Sequence, residues 1–423
     1  MKEAKYYTVK ELAAKEKIPE IFDTGAHLIY SSPATLAYNS PGAQGFGVKR
    51  AGLTMPESVM LIVSPGCCGR NTSAISVNEQ YKHRYFYYLL DETDIVTGRH
   101  LSKIPEAVKE IVDFLAVKPK VVMICITCVD ALLGTDMERV CKQCEEVAKV
   151  KVRPCYMYAL TREGRRPPMV HVRESLYSLL EKQKKDPRTV NLLGFFAPLD
   201  DDCELYRYLK DIGMHHIYEL SRMTTYADFT KMSQANFNLI LHPEARAAAE
   251  NMRKALNIGS IELTRFYQVE YVHRQYHALA KALGVTIDDQ ADYEKTKAVI
   301  EMMKSYQNIS IAIGETGNYD PLELALALVS YGFQVKEIYA TLQDYQLRYL
   351  SALSSLSPAT KVYCNNEPTM LYYNMESSID LTIGKDAAYY HPKAHHLDFN
   401  EDRQPYGYQA IQLLFSKMKE VLS

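Results

Sequence analysis

The chain has 423 residues, too many for one compact core, so two or three domains are expected. Its 47% hydrophobic and 24% charged residues are those of an ordinary globular protein, and a net charge of −2 removes any electrostatic basis for a nucleic-acid partner. No stretch approaches the roughly 20 apolar residues of a membrane span, and Met1-Lys-Glu-Ala-Lys-Tyr-Tyr7 lacks the apolar core of a signal peptide. A cytoplasmic protein is expected, whose nine cysteines are thiols or metal ligands rather than disulfides.

Along the chain, apolar β-prone runs alternate with amphipathic stretches of helical period, the pattern of parallel sheets flanked by helices. Ser58–Val63, Lys120–Thr127 and Lys151–Met157 predict strands. Between them, Ile104, Val108, Ile111, Val112 and Leu115 recur at helical spacing, and Met137–Lys149 predicts a second helix. The charged stretch Glu181–Arg188 reads as a linker. A second set of strands is expected at Thr189–Phe196, His216–Leu220 and Phe237–His242. A third is expected at Asn308–Gly314, Phe333–Tyr339, Lys361–Cys364 and Ile379–Gly384, with a helix over Leu322–Tyr331. The expected fold class is α/β, with three doubly wound Rossmann-like domains of parallel sheets over residues 1–188, 189–305 and 306–423, the last closing on a C-terminal helix.

Four cysteines fall where a buried strand gives way to a loop, in Ser64-Pro-Gly-Cys-Cys-Gly69 and in Cys125-Ile-Thr-Cys128. A Cys-x-x-Cys pair alone fits a metal site, a redox dithiol or buried packing thiols. A vicinal pair such as Cys67–Cys68 chelates one ion poorly, because neighbouring side chains diverge, but it can place two sulfurs on different irons of a cluster. Cys141 and Cys144 share one face of a helix and read as packing thiols; Cys155, Cys203 and Cys364 read the same way. The loop Gly314-Glu-Thr-Gly317 lacks the spacing of a phosphate loop and reads as a strand-to-helix turn, so no nucleotide site is expected in this chain.

The order of motifs resembles the component 1 proteins of the nitrogenase superfamily, which includes the light-independent tetrapyrrole reductases. Leu61-Ile-Val-Ser-Pro-Gly-Cys-Cys68 is similar to that family's His-Gly-Pro-x-Gly-Cys ligand turn, with Cys68 on the ligand position. Tyr88-Leu-Leu-Asp-Glu-Thr-Asp-Ile-Val-Thr-Gly98 resembles its Leu-x-Glu-x-Asp-x-Val-x-Gly segment, followed by Leu101 and a helix. Cys128-x-x-x-Leu132-x-Gly134-x-Asp136 resembles its Cys-x-x-x-Leu/Ile-Ile-Gly-Asp-Asp segment and puts Cys128 on another ligand. Weaker likeness at Asn238–His242 and Tyr406-Gly-Tyr408 extends it to the C-terminal end.

The resemblance implies an iron–sulfur cluster held by Cys67, Cys68 and Cys128, with Cys125 as a further candidate. The family's earlier cysteine is missing from Asn39–Gly47, and Cys67 would replace it. A twofold dimer, of this chain with itself or with a homologous second subunit, would then present six thiolates, enough for a bridging eight-iron cluster or a four-iron one. The resemblance also implies a separate ATP-hydrolysing iron–sulfur reductase as electron donor, and an oxidoreductase relaying its electrons to a pocket between the domains. A scaffold that assembles a metallocluster without turnover, a tetrapyrrole-type reductase subunit and a zinc or metal-free protein are the rival readings. His242 stands where nitrogenase anchors its cofactor with a cysteine, and His391, His395 and His396 crowd the segment of the second anchor. Imidazole is both an iron ligand and a proton donor near neutral pH, so these four are expected to line a pocket for substrate or a second metallocofactor. The basic turn with Arg162, Arg165 and Arg166 is a solvated loop or a carboxylate-binding element.

Overall fold

In a computed structural model of the chain, residues 3–22, 29, 31, 33–34, 47–66, 81–127, 133–157, 166–375 and 378–423 are described. The chain forms two compact units, one of Pro41–Pro198 with Gly213–Leu263, the other of Met1–Ser40, Leu199–Ile212 and Thr264–Ser423. The second unit owns the first strand, β1 (Tyr6–Thr8).

The first unit carries two parallel sheets. One holds β2 (Ser58–Ser64), β3 (Tyr85–Leu89), β4 (Val121–Ile126) and β5 (Lys151–Tyr156) in the order β3-β2-β4-β5. The other holds β6 (Thr189–Leu193), β7 (His216–Glu219), β8 (Phe237–Ile240) and β9 (Gly259–Glu262) in the order β7-β6-β8-β9. Strands β2, β4 and β6 are buried at every residue, which is why β2 and β4 are mostly apolar runs rather than alternating ones; in β6 the buried Asn191 is satisfied by the Met232 carbonyl and Asn238.

The twofold period still sorts their side chains between two cores. Val59, Leu61, Val63, Val122, Ile124 and Ile126 pack with α1 (His100–Phe114) and α2 (Met137–Ala148). Met60, Ile62, Met123 and Cys125 face the other way, into a core shared with Leu193, Ile240, Leu176 of α3 (Pro168–Tyr177) and Met252 of α4 (Arg246–Leu256). A single core therefore joins the two sheets of this unit.

The second unit has one six-stranded sheet, adding β10 (Ser310–Ile313), β11 (Gln334–Tyr339), β12 (Lys361–Tyr363), β13 (Leu381–Ile383) and β14 (His395–Leu397) in the order β1-β12-β11-β10-β13-β14. All its pairings are parallel except that of β1 with β12. Its helices include α5 (Val269–Leu283), α6 (Gln290–Met302), α7 (Pro321–Ser330) and α8 (Gly407–Leu422). Helix α7 is buried from Pro321 to Leu328, as its almost entirely apolar sequence requires, and Asp320 caps it by accepting the amides of Leu322 and Glu323 at 3.0 and 3.2 Å. No helix among the described residues is long and apolar enough to cross a membrane.

Every sheet is thus α/β and doubly wound. The winding reverses between β2 and β4 in the first sheet, between β6 and β8 in the second, and between β10 and β13 in the third. Crevices beyond the carboxyl ends of such strand pairs are where open α/β sheets place their ligands.

Candidate functional site

At the first reversal, Ile62 pairs with Cys125 and Val63 with Ile126, so β2 and β4 leave the sheet side by side. The chain beyond them carries Cys67 and Cys68 on one side and Cys128 on the other; these three cysteines lie outside the described residues. The described approach to both turns is polar inside an apolar surround. Ser64 ends β2 and Thr127 follows β4, both are buried, and neither hydroxyl oxygen has a hydrogen-bond partner among the described residues. A buried unpaired hydroxyl costs about 1–3 kcal/mol, and an acceptor held in these turns would offset that cost.

The position of Cys125 weighs against a ligand role. It sits within β4, fully buried, paired in register with Cys155 and packed in the apolar core. Burial pushes its thiol up to about 11, against a weaker opposing pull from Lys49. Its side chain faces the apolar core on the same side of the sheet as Met60, Ile62 and Met123. Cys141 and Cys144 are buried on α2 as expected, with burial pushing the Cys144 thiol up to about 12. Cys155, Cys203 and Cys364 are buried as well.

At the second reversal the exits of β6 and β8 touch. Gly194 has φ +146°, and a Cβ there would stand 2.7 Å from the backbone nitrogen of His242. His242 closes the short turn Pro243–Ala245, its Nδ1 accepting the Glu244 amide at 3.3 Å, and its ring meets Phe195 edge-on at 5.6 Å. With Nδ1 accepting, the neutral ring carries its proton on Nε2, and 40% of the side chain is exposed. Behind it, buried Arg173 of α3 donates to the Gly194 carbonyl at 2.8 Å and to Glu244 at 2.8 Å, fixing both sides of the crevice. Of the basic turn, Arg162 and Arg165 lie outside the described residues, and Arg166 is an exposed residue paired with Glu174.

The third reversal is filled by the protein itself. Gly314-Glu-Thr-Gly317 is a strand-to-helix turn, and the carboxylate of Asp386 takes the place an anion would occupy. It accepts the Glu315 amide at 2.8 Å, the Thr316 amide at 3.3 Å and the Thr316 hydroxyl at 2.6 Å. The Asn365 amide group donates to Asp386 at 2.8 Å and to Glu315 at 2.9 Å, bridging the two carboxyls. Burial, and next the neighbouring Asp386, raise the Glu315 carboxyl above the usual carboxylate range.

The C-terminal histidines, adjacent in sequence, are separated by the fold. His391 is buried, and its Nε2 lies 3.0 Å from the Tyr339 hydroxyl, 3.3 Å from that of Tyr373 and 3.2 Å from Glu337. Both tyrosines also donate to Glu337, at 2.7 and 2.6 Å. Burial alone would raise the Glu337 carboxyl, but the hydrogen bonds from His391, Tyr373 and Tyr339 outweigh it and hold the group below its ordinary value. His395 and His396 instead lie on β14, an exposed strand at the sheet edge, paired with Leu381 and Thr382. The sequence reading missed Glu315, Glu337 and Asp386; their signal was a carboxylate within or just after an otherwise apolar run.

A sequence profile described as "Nitrogenase component 1 type Oxidoreductase" matches residues 43–411. A Clostridium pasteurianum relative, "Nitrogenase iron-molybdenum cofactor biosynthesis protein NifE", is 22% identical over 65% of this chain and 68% of its own length. A Methanosarcina barkeri relative, "Nitrogenase molybdenum-iron protein alpha chain", is 24% identical over 51% of this chain and 40% of its own. The chain thus spans about two thirds of the first and well under half of the second. A solved structure of nitrogenase Cp1 at pH 6.5 superposes with a TM-score of 0.71 at 16% identity, covering 97% of this chain and 94% of that one, a likeness of fold. By the extent of the profile match, the chain belongs to the nitrogenase component 1 type oxidoreductase family.

Proposed function

We propose that this chain is the cluster-carrying subunit of a nitrogenase-like two-component system, taking electrons from an ATP-hydrolysing iron–sulfur reductase. The observation that carries the reading is that β2 and β4, which lead in sequence to Cys67–Cys68 and to Cys128, end side by side at one winding reversal, beside two buried hydroxyls with no partner among the described residues. Cys67, Cys68 and Cys128 would hold the cluster, completed by the same residues of a second copy or by a homologous subunit. When bound, such a cluster supplies single-electron storage and release. The Ser64 and Thr127 hydroxyls would donate to its sulfur atoms, and such bonds raise a cluster's potential. At the second reversal, His242 would present its Nε2–H to a bound substrate or second metallocofactor, with Arg173 and Gly194 fixing the ring's backbone.

A second reading, a scaffold that builds a metallocluster and passes it on, is favoured by relatives named as cofactor biosynthesis proteins. They match between 39% and 65% of this chain and outnumber the molybdenum-iron protein alpha chains, which match about half. Anaerobic purification tests both. Iron bound in wild type and absent from Cys68→Ala and Cys128→Ala supports a cluster; a colourless protein holding only zinc rejects either reading. Reduction by an ATP-dependent donor followed by substrate turnover supports the reductase, whereas transfer of the cluster to another protein without turnover supports the scaffold.

A further inference from the structure

A second set of ligand-bearing side chains lies in the unit that does not contain Cys67, Cys68 and Cys128. On α5, His273 and His277 stand one helical turn apart, on a face beside the one buried through Val272, Tyr276 and Leu279. Asp289 occupies the N-cap position of α6 but makes no side-chain cap bond there. An aspartate at that position ordinarily accepts an amide of the first turn, worth about 1 kcal/mol. Here its carboxylate is 2% exposed and turned to the histidines instead, with Oδ2 at 2.9 Å from His273 Nδ1 and Oδ1 at 3.4 Å from His277 Nε2. The Tyr408 hydroxyl, from α8, donates to the same Oδ2 and lies 3.5 Å from His273 Nδ1.

We propose that His273, His277 and Asp289 form a mononuclear site for a divalent transition-metal ion of the zinc class. One ligand atom from each residue falls within 4.8 Å of the others. Zinc bonds of about 2.0–2.2 Å in a tetrahedron set ligand atoms about 3.3–3.5 Å apart. With Oδ1 as the ligand atom, His277 Nε2 already has that spacing at 3.4 Å, whereas His273 Nδ1 now faces the other oxygen, Oδ2, at 2.9 Å and would have to turn toward the ion. Two imidazoles and a carboxylate are borderline donors suited to zinc and its neighbours, unlike the thiolates of the cysteine turns. Tyr408 holds Oδ2, the oxygen not used as the ligand atom, and so orients the carboxylate as a positioning residue. The His277 side chain is 57% exposed, so the fourth coordination position and the path of entry open to solvent. Without an ion, the trio would be a hydrogen-bonded cluster and nothing more.

Zinc K-edge X-ray absorption separates these cases on the full chain with Cys67, Cys68 and Cys128 replaced by Ala, the wild type for the comparisons below, loaded with zinc chloride and desalted. The expected result is one zinc per chain, with nitrogen and oxygen neighbours at about 2.0–2.2 Å and no sulfur shell. Zinc should raise the melting temperature of wild type and leave His277→Ala unmoved, while both melt alike in chelator. Tyr408→Phe should weaken zinc binding by about 10–100-fold. A sulfur shell, no retained zinc in wild type, or undiminished zinc in both His277→Ala and Asp289→Asn overturns the proposal.

Discussion

Asp386 accepts the backbone amide of Glu315 at 2.8 Å, so the turn after the central strand of the larger sheet is closed from within. Removing that carboxylate in Asp386→Ala strands the amides of Glu315 and Thr316 together with Asn365. At about 1–3 kcal/mol for each buried unpaired donor, a loss of about 2–4 kcal/mol is expected in urea denaturation. Asp386→Asn retains one acceptor oxygen and should cost less. Equal losses in the two variants would point away from hydrogen bonding as the cause.

Glu323 gives this fold a measurable pH response. It is wholly buried on α7, and burial pushes its carboxyl up to about 8 although both oxygens accept the Tyr267 amide at 3.0 Å. In the unfolded chain it ionises near the ordinary carboxylate value of 4.5. Between those values the folded state keeps a proton that the unfolded state has lost, so its contribution is full below 4.5 and falls as pH rises toward 8. The slope should approach about 1.4 kcal/mol per pH unit inside that window. Glu323→Gln should flatten the difference; parallel stability curves for the two proteins between pH 5 and about 8 would contradict it.

The cysteines should divide sharply by position. Cys68→Ala and Cys128→Ala are expected to abolish bound iron. Cys125→Ala and Cys141→Ala should keep it, each costing about 1 kcal/mol of stability for a small cavity. Iron counts on anaerobically purified variants check the division, and loss of iron in Cys125→Ala with normal folding would return that residue to the ligand set.

Gly194 and His242 offer a test of the second crevice. A methyl group at Gly194 meets the His242 backbone nitrogen at 2.7 Å, at a φ that other residues rarely adopt. Gly194→Ala should therefore cost about 1–3 kcal/mol and displace the histidine. His242→Ala, with the backbone untouched, should retain fold and iron while turnover falls. Unchanged turnover would remove His242 from the proposed pocket.

What the sequence disclosed follows burial. Strands such as β2, β4, β6 and β8 are covered on both faces, so their apolar runs stood out. The strands that escaped notice, β1, β3, β9 and β14, all lie at sheet edges. There partial exposure lets Tyr, Gly, Ser and His replace the apolar pattern. The turns bearing Cys67, Cys68 and Cys128 were visible because rare residues follow obvious strands. The closing of the third crevice by Asp386 was hidden, because its partner turn precedes it by some seventy residues.

The division of the chain into units also orders its birth. The unit with the cysteine turns is complete once Leu263 has emerged from the ribosome. The other unit begins with β1, whose partner β12 is not made until Lys361–Tyr363. During synthesis, the first strand must wait unpaired while the cysteine-bearing unit has all its residues and can fold. Release from the ribosome thus separates two events in time: the cysteine turns can be formed and loaded early, and the sheet that binds both ends of its unit is closed last.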